Sequence, residues 1–584
     1  MDVFRLFRQL WPYLMRYRLK LFLGLIFIVI SNLIAIVNPQ IVRQAIDYLK
    51  GDIQTMRLFQ YAGLIVLITL VQGVFRFLMR RTVIVVSRLV EFDLRNELFA
   101  RLQSLSQNFF QRTPTGDLIA RMTSDLNAIR SVMGPGIMYT INTATTMILV
   151  FVMMISISRL LTLIALLPIP LLVFLVSYFS RQINKRYSAV QAQFAEISTR
   201  VQENLAGIRI IKSYVKEKSE LQDFNRINRE YINKSLHYVK VHAAFRPMMM
   251  LLVGLSVVLT LLIGGRLIIS GTITLGQFVA FNMYLGMLVW PSIALGWVLG
   301  LFYQGVASMK RLNLIFDARP DIVDAPDVKK VTRLHGAIRF ERLNFSYANG
   351  SSEVLKDIDF QVEAGQVVAL IGRTGSGKST IIKLIARIYD APDDSILIDD
   401  IPIKKIPLKT LREHIGYVPQ ETFLFSDTIR NNIAFARPDA SLEEIEWAAR
   451  MAEVHQSIVE FPDGYDTLLG ERGINLSGGQ KQRLTLARAL LKKPSILLLD
   501  DALSAVDNLT EERILQHLKQ VMKNKTCFWV SHRISAIRHA DLILVLDQGQ
   551  IVERGTHESL LALGGLYADI FEKQQLEEFV TQVD

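Results

Sequence analysis

Residues 366–379 read Gln-Val-Val-Ala-Leu-Ile-Gly-Arg-Thr-Gly-Ser-Gly-Lys-Ser, and they decide the class of the second half of the chain. Gln366–Ile371 is a nearly unbroken apolar run, the pattern of a central strand buried on both faces. The loop Gly372-Arg373-Thr374-Gly375-Ser376-Gly377-Lys378-Ser379 follows at once. After Thr380, residues Ile381, Leu384, Ile385 and Ile388 fall on one face of a helix. Strand, G-x-x-x-x-G-K-S and helix in this order form a phosphate-binding loop in its required setting. The glycines let backbone N–H groups curl around phosphate oxygens, and the helix N-terminus adds its positive dipole end. Lys378 can then reach the β- and γ-phosphates of a nucleotide, and Ser379 can ligate Mg²⁺. Gly372 through Thr380 are the expected nucleotide-binding residues, with ATP and Mg²⁺ as the expected cofactors.

Outward from this loop, short β-branched runs alternate with amphipathic helices from Gly336 onward, the mark of an α/β domain with a mainly parallel sheet. Asp500 ends the apolar run Ile496–Leu499. A carboxylate at the C-terminal end of a parallel strand points into the crevice where ligands sit, so Asp500 joins Ser379 as a candidate metal ligand. Twenty residues earlier, Leu476-Ser477-Gly478-Gly479-Gln480 opens a helix that Pro494 stops.

LSGGQ at this spacing from a phosphate loop resembles the signature of the ABC transporters. The resemblance implies roles for further residues. Tyr347 is similar to the aromatic that stacks on adenine. Gln420 matches the glutamine that senses Mg²⁺ and contacts the membrane domain, and His532 matches the switch histidine for the γ-phosphate. Glu471, in GERG, resembles a short exporter segment near the coupling helices, and Ser504–Asp507 resembles the dimer-interface loop. The family arrangement implies two ATPase domains head to tail, with ATP on one chain's phosphate loop covered by the other chain's Ser477, Gly478, Gly479, Gln480 and Asp507. Physically, the amides at the start of the signature helix make a second anion cradle, so ATP acts as an adhesive between two chains.

One residue departs from the family pattern. The position after the metal-binding Asp is usually Glu, which polarises the attacking water; here it is Asp501. Its carboxylate is retracted by one methylene, and misplacement of about 1 Å can cost roughly 100-fold. The expected catalytic residues are Asp501, His532 and Gln420, with hydrolysis slow at this chain's own phosphate loop. A slow site of this kind resembles one subunit of heterodimeric bacterial multidrug exporters, which implies a partner carrying Glu. A homodimer with a competent Asp501 is the alternative.

The first half of the chain has a different texture. Hydrophobic residues make up 51% of the sequence while charged residues still make up 21%, so a greasy part and a water-soluble part are segregated. Six stretches are long and apolar enough to cross a bilayer: 19–37, 58–79, 132–158, 160–179, 245–269 and 276–302. Lys and Arg number five in residues 1–20, eight in 80–131 and twelve in 180–245, against five in the short connections. This places the N-terminus, both long loops and everything after the sixth span in the cytoplasm. The net charge of +12 follows the same bias. No compact basic patch with interleaved aromatics appears, so no nucleic-acid partner is expected. The first apolar run is broken by Arg5, Arg8, Arg16 and Arg18, so no cleavable leader is expected. The single cysteine, Cys527, cannot form an internal disulfide, which fits a reducing compartment.

The expected organisation is an all-α six-helix membrane domain over 1–316, a linker over 317–334 and an α/β phosphate-loop domain over 335–584. Together with the motifs this resembles one half of an ABC exporter in a bacterial-type cell membrane, and import is not expected. The long loops at 109–125 and 204–214 each break helical periodicity at a glycine, Gly116 and Gly207, and carry exposed apolar residues, at positions that resemble the coupling helices of exporters. Apolar residues at cytoplasmic loop tips need burial. Met248, Met249, Met250, Met283, Met287, Trp290 and Trp297 could form an adaptable surface for an amphipathic solute, or could face lipid. Asn32, Gln72, Arg76, Asn142 and Asn282 could line its path or pair between helices. Multidrug export and lipid or lipid-linked glycan flipping both remain open.

Overall fold

A computed structural model describes residues 2–49, 55–347 and 352–583. By packing, the chain divides into two units, one of residues 1–103 with 115–318 and one of residues 104–114 with 319–584.

The first unit is all helical. Among the described residues five helices are long and apolar enough to cross a bilayer: Arg18–Tyr48, Thr55–Ser104, Thr115–Ile157, Glu217–Ile269 and Leu275–Phe316. The expected fourth span, residues 160–179, is divided between helices Arg159–Leu166 and Ile169–Ala206. Pro168 and Pro170 remove two amide donors within three residues, so no single ladder of helical bonds runs through the stretch. Polar clamps join the helices. Asp47 accepts from the Thr274 hydroxyl (2.7 Å) and the Gly276 amide (2.9 Å), fixing the start of helix Leu275–Phe316. A Cβ at Gly276 would lie 2.3 Å from the Arg43 carbonyl oxygen, so only glycine permits this approach.

The cytoplasmic extension carries a stronger clamp. Asp125, 4% exposed, accepts from Ser308 Oγ (2.8 Å) and Arg311 Nε (2.8 Å). Burial opposes its charge, but the Arg311 and Ser308 hydrogen bonds outweigh that and hold the carboxyl below its ordinary value. Arg311→Leu should remove the closest cation from this buried carboxylate, leaving Ser308 as its donor, and cost about 1–3 kcal/mol. Thermal unfolding of the purified protein reads the loss, and Asp125→Asn in the same background should restore part of it.

The second unit is built on two sheets. A four-stranded sheet has the order β2-β1-β4-β5, from β1 (Ile338–Phe345), β2 (Leu355–Val362), β4 (Ile396–Ile398) and β5 (Ile401–Pro402). A six-stranded sheet has the order β10-β9-β3-β8-β7-β6, from β3 (Val367–Gly372), β6 (Ile415–Val418), β7 (Ile496–Asp500), β8 (Thr526–Val530), β9 (Leu542–Asp547) and β10 (Gln550–Gly555). β6 through β9 with β3 run parallel, and β10 is antiparallel to β9. β7 and β8 are buried at every residue, which their unbroken apolar runs predict. Apolar clusters cover both faces of this sheet. Cys527, in β8, is 0% exposed, and burial pushes its thiol up to about 12.

Candidate functional site

β3, β7 and β8 are neighbours, so their C-terminal ends open into one crevice. At the end of β3 the chain turns through Gly372 (φ +148°), Gly375 (φ +84°) and Gly377 (φ +100°). A Cβ at Gly372 would sit 2.0 Å from the Leu546 carbonyl oxygen, and one at Gly377 would sit 2.5 Å from Leu355 Cδ2. The loop therefore needs glycine for space as well as for its left-handed backbone. Helix Lys378–Ile385 starts directly behind it.

A cavity of about 220 Å³ lies over this loop. It is lined by Thr374 through Thr380 and, from the neighbouring strand ends, by Gln420, Asp500, Asp501 and His532. Lys378 is 5% exposed, and its ammonium donates to the carbonyls of Gly372 and Arg373, each at 2.8 Å. Burial pulls its pKa down while Asp500 and Asp501 push it back. Burial raises the Asp500 carboxyl, countered chiefly by a 2.7 Å hydrogen bond from Ser379 Oγ. Ser376 Oγ is buried with no hydrogen-bond partner among the described residues. An orphaned hydroxyl, a buried ammonium and a row of amides at a helix start are donors awaiting an anion, so the cavity fits the phosphates of ATP.

The donor set also fits Mg²⁺. Ser379 and Asp500 present oxygens 2.7 Å apart, and Gln420 brings an amide to the same cavity. A hard cation that keeps waters and shares phosphate oxygens needs few protein ligands, and oxygen is the right kind.

Tyr347 lies beside the loop, its hydroxyl 3.0 Å from Thr380 Oγ1 and its ring edge-on to Tyr389 at 4.9 Å. The signature motif is elsewhere. Among the described residues none of Ser477, Gly478, Gly479, Gln480 or Asp507 lines the cavity. Ser477 instead caps helix Gly478–Leu491 in a reciprocal pair with Gln480, at 3.2 and 3.0 Å. Gly479 packs against the loop 504–507, where a Cβ would lie 2.8 Å from the Ala505 carbonyl oxygen. Asp507 caps helix Asn508–Val521 through the Thr510 amide at 2.9 Å, and that bond depresses its carboxyl. The phosphate loop and the LSGGQ segment thus occupy separate places on one chain.

Sequence reasoning missed Gln482. It is 6% exposed, its amide donates to Ser504 Oγ (2.9 Å) and the Asp501 carbonyl (3.4 Å), and its oxygen accepts from the Ala505 amide (2.9 Å). It ties the signature helix to the strand-end loop that carries Asp501. A polar residue one and two turns ahead of Leu486 and Ala489, on the helix's apolar face, was the available signal.

The first loop segment is split: residues 109–114 belong to the ATPase unit and 115–125 to the helical unit. Helix Gln107–Arg112 is held by Gln111 Nε2 to Tyr389 Oη (2.7 Å) and Asn108 Nδ2 to Asp321 (3.0 Å). Its break falls at Thr113–Pro114 rather than at Gly116, because Pro114 forces Thr113 into extended backbone (φ −121°, ψ 113°). Gly116 lies inside the next helix. The second segment breaks at Gly207, where helix Ile208–Ser213 begins. Ile210, Tyr214 and Val215 are 66%, 73% and 80% exposed. Of the candidate path residues, Asn32 is buried and donates to the Asn142 carbonyl at 3.3 Å, so this pair joins helices. Asn282 bonds the Phe278 carbonyl of its own helix. Met249 is buried, while Met248, Met250, Trp290 and Trp297 are exposed on the single chain.

Comparison with known proteins agrees with this geometry. A family model of the ABC transporter transmembrane region matches residues 21–292, and a second, described as ABC transporter, matches residues 355–504. The probable multidrug resistance ABC transporter ATP-binding/permease protein YheI of Bacillus subtilis (strain 168) is 37% identical over 98% of each chain. An ATP-dependent lipid A-core flippase of Syntrophus aciditrophicus (strain SB) is 36% identical, covering 99% of this chain and 96% of that one. The ATP-bound structure of a bacterial Atm1-family ABC exporter superposes with a TM-score of 0.78 at 29% identity, covering 96% of this chain and 98% of that one.

Proposed function

The chain belongs to the ABC transporter family, and from that premise we propose that it is one half of a heterodimeric exporter whose own phosphate loop holds a slow ATP site. It is a multi-pass membrane protein with a cytoplasmic ATPase domain that drives export with ATP. In this reading residues 1–316 form the membrane domain, 317–334 the linker and 335–584 the ATPase.

ATP binds with its phosphates on the amides of residues 374–380 and on Lys378, and Tyr347 takes the adenine side. Mg²⁺, held by Ser379 and Asp500 with Gln420 close by, supplies neutralisation of phosphate charge when bound. His532 faces the γ-phosphate. The lid residues Ser477–Gln480 and Asp507 lie off this cavity, which supports their use on the nucleotide of a second chain. That partner contributes the same lid here, so closing the pair on ATP and reopening it after hydrolysis drives the helices between inward- and outward-facing states.

The observation that carries the slow-site reading is Asp501 at the place of a catalytic Glu, among groups already in position. In phosphoryl transfer nearly all catalysis is positioning. The test is ATPase of the lone chain in nanodiscs against the chain co-purified with a half-transporter bearing Glu. Slow turnover alone and brisk turnover in the pair are expected. Brisk, cooperative hydrolysis by the lone chain that collapses in Asp501→Asn ends the heterodimer reading.

Helix Ile208–Ser213 serves as a coupling helix, its exposed apolar residues docking into an ATPase domain. Deleting residues 207–212 should leave ATP affinity unchanged and abolish solute transport in proteoliposomes; unimpaired transport refutes the assignment. For the solute, an amphipathic multidrug-type substrate is favoured. Lipid flipping is the second reading, supported by Arg76, Arg80 and Arg81, which are exposed and have no ion pair among the described residues. Stimulation of the ATPase by a drug panel but not by lipids separates the two.

A further inference from the structure

The ATPase unit contains a second cavity, of about 420 Å³, that shares no residue with the nucleotide site. Small-ligand sites span about 300–1,000 Å³. Its floor is one face of β3 and β8, with Val367, Ala369 and Trp529, walled by Leu515, Met522 and Ile537. Trp529 is 4% exposed and lines the cavity with its indole.

The mouth is positively charged. Lys519, Lys523 and Arg538 line it against a single acid, Glu512. All three cations are exposed, and among the described residues none has a carboxylate at ion-pairing distance. His539, also at the mouth, is held below its ordinary pKa by burial and then by Lys519 and Arg538, which reports the positive field there.

We propose that this cavity binds a soluble amphipathic organic anion, with a flat apolar body on Trp529 and a carboxylate or sulfonate head at Lys519, Lys523 and Arg538. The floor supplies apolar and aromatic contact, and the mouth supplies charge-assisted hydrogen bonds. The two floor strands run on into the phosphate loop and toward His532, so an occupant rests against the elements that carry the nucleotide machinery.

The test uses the full chain in nanodiscs, irradiated with 4-benzoylbenzoate, an aromatic carboxylate that cross-links on illumination, and peptide mapping by mass spectrometry. Label within residues 512–540 is expected, undiminished by saturating ATP. It should fall by roughly tenfold in a K519E/K523E/R538E variant that still binds ATP, and neutral benzophenone should label the same peptides roughly tenfold less. Label confined to the membrane-spanning helices, label displaced by ATP, or equal labelling by neutral benzophenone or in the charge-reversed variant overturns the assignment.

Discussion

Asp501→Glu should speed ATP hydrolysis at this chain's own phosphate loop by about 100-fold. The groups proposed to surround the reacting phosphate already line one cavity: Lys378 and Ser379 from the loop, Asp500 from β7, Gln420 and His532 from adjacent strand ends. What is short is one methylene between the backbone and a carboxylate that must reach a water. Restoring it moves the oxygens outward by about one C–C bond length, the scale on which misplacement costs two decades. The backbone at 501 is anchored independently of the side chain, by its amide to the Val530 carbonyl (3.0 Å) and by its carbonyl, which accepts from Ser504 Oγ (3.1 Å). The longer side chain therefore starts from a fixed base. Single-turnover hydrolysis isolates the effect when the chain is paired with a partner whose own Glu is changed to Gln. An unchanged rate at full nucleotide occupancy sinks the slow-site reading, and Asp501→Asn should alter the wild-type rate only a few-fold.

Lys378→Ala should remove nucleotide binding from the same loop. The ammonium is almost fully buried and already committed to two carbonyls of its own loop. Among the described residues it is the only lysine or arginine lining the cavity. Truncating one member of a buried, hydrogen-bonded charge pair costs about 2–5 kcal/mol, or about 30- to 4,000-fold in ATP affinity. A fluorescent ATP analogue titrated into the purified protein measures it. The helix behind the loop rests on buried Ile381, Ile382, Leu384 and Ile385, so the thermal midpoint without nucleotide should move little. Wild-type affinity in this variant would place the phosphates elsewhere.

The parts legible from sequence are those where chemistry forces a local pattern. A both-face-buried strand must be apolar throughout, so β3, β7 and β8 announced themselves, and the glycines of the phosphate loop have no substitute at their φ angles. Single-chain reading fails where the decisive contact is long-range. Gln482 looks like one more polar residue on a charged helix until Ser504 and Ala505 fold back against it. The attachment of residues 104–114 to the ATPase unit depends on Tyr389 and Asp321, more than two hundred residues away. The break at Pro114 was written in the sequence, but the nearby Gly116 drew the attribution, because glycine breaks helices only where nothing else compensates. The division of the fourth span shows the same limit from the other side. Hydropathy counts Leu160–Phe179 as continuous, while backbone hydrogen bonding stops at a proline pair that hydropathy ignores.

Cys527 lies in the middle of a sheet, sealed under both apolar layers, with burial pushing its thiol up to about 12, far above neutral pH. Maleimides and other thiolate-seeking reagents require the deprotonated, accessible sulfur. The native polypeptide is thus silent toward them as it stands. A cysteine engineered onto helix Ile208–Ser213 or beside Ser477 would carry a spin label or fluorophore as the sole reporter, with the wild-type sequence intact everywhere else.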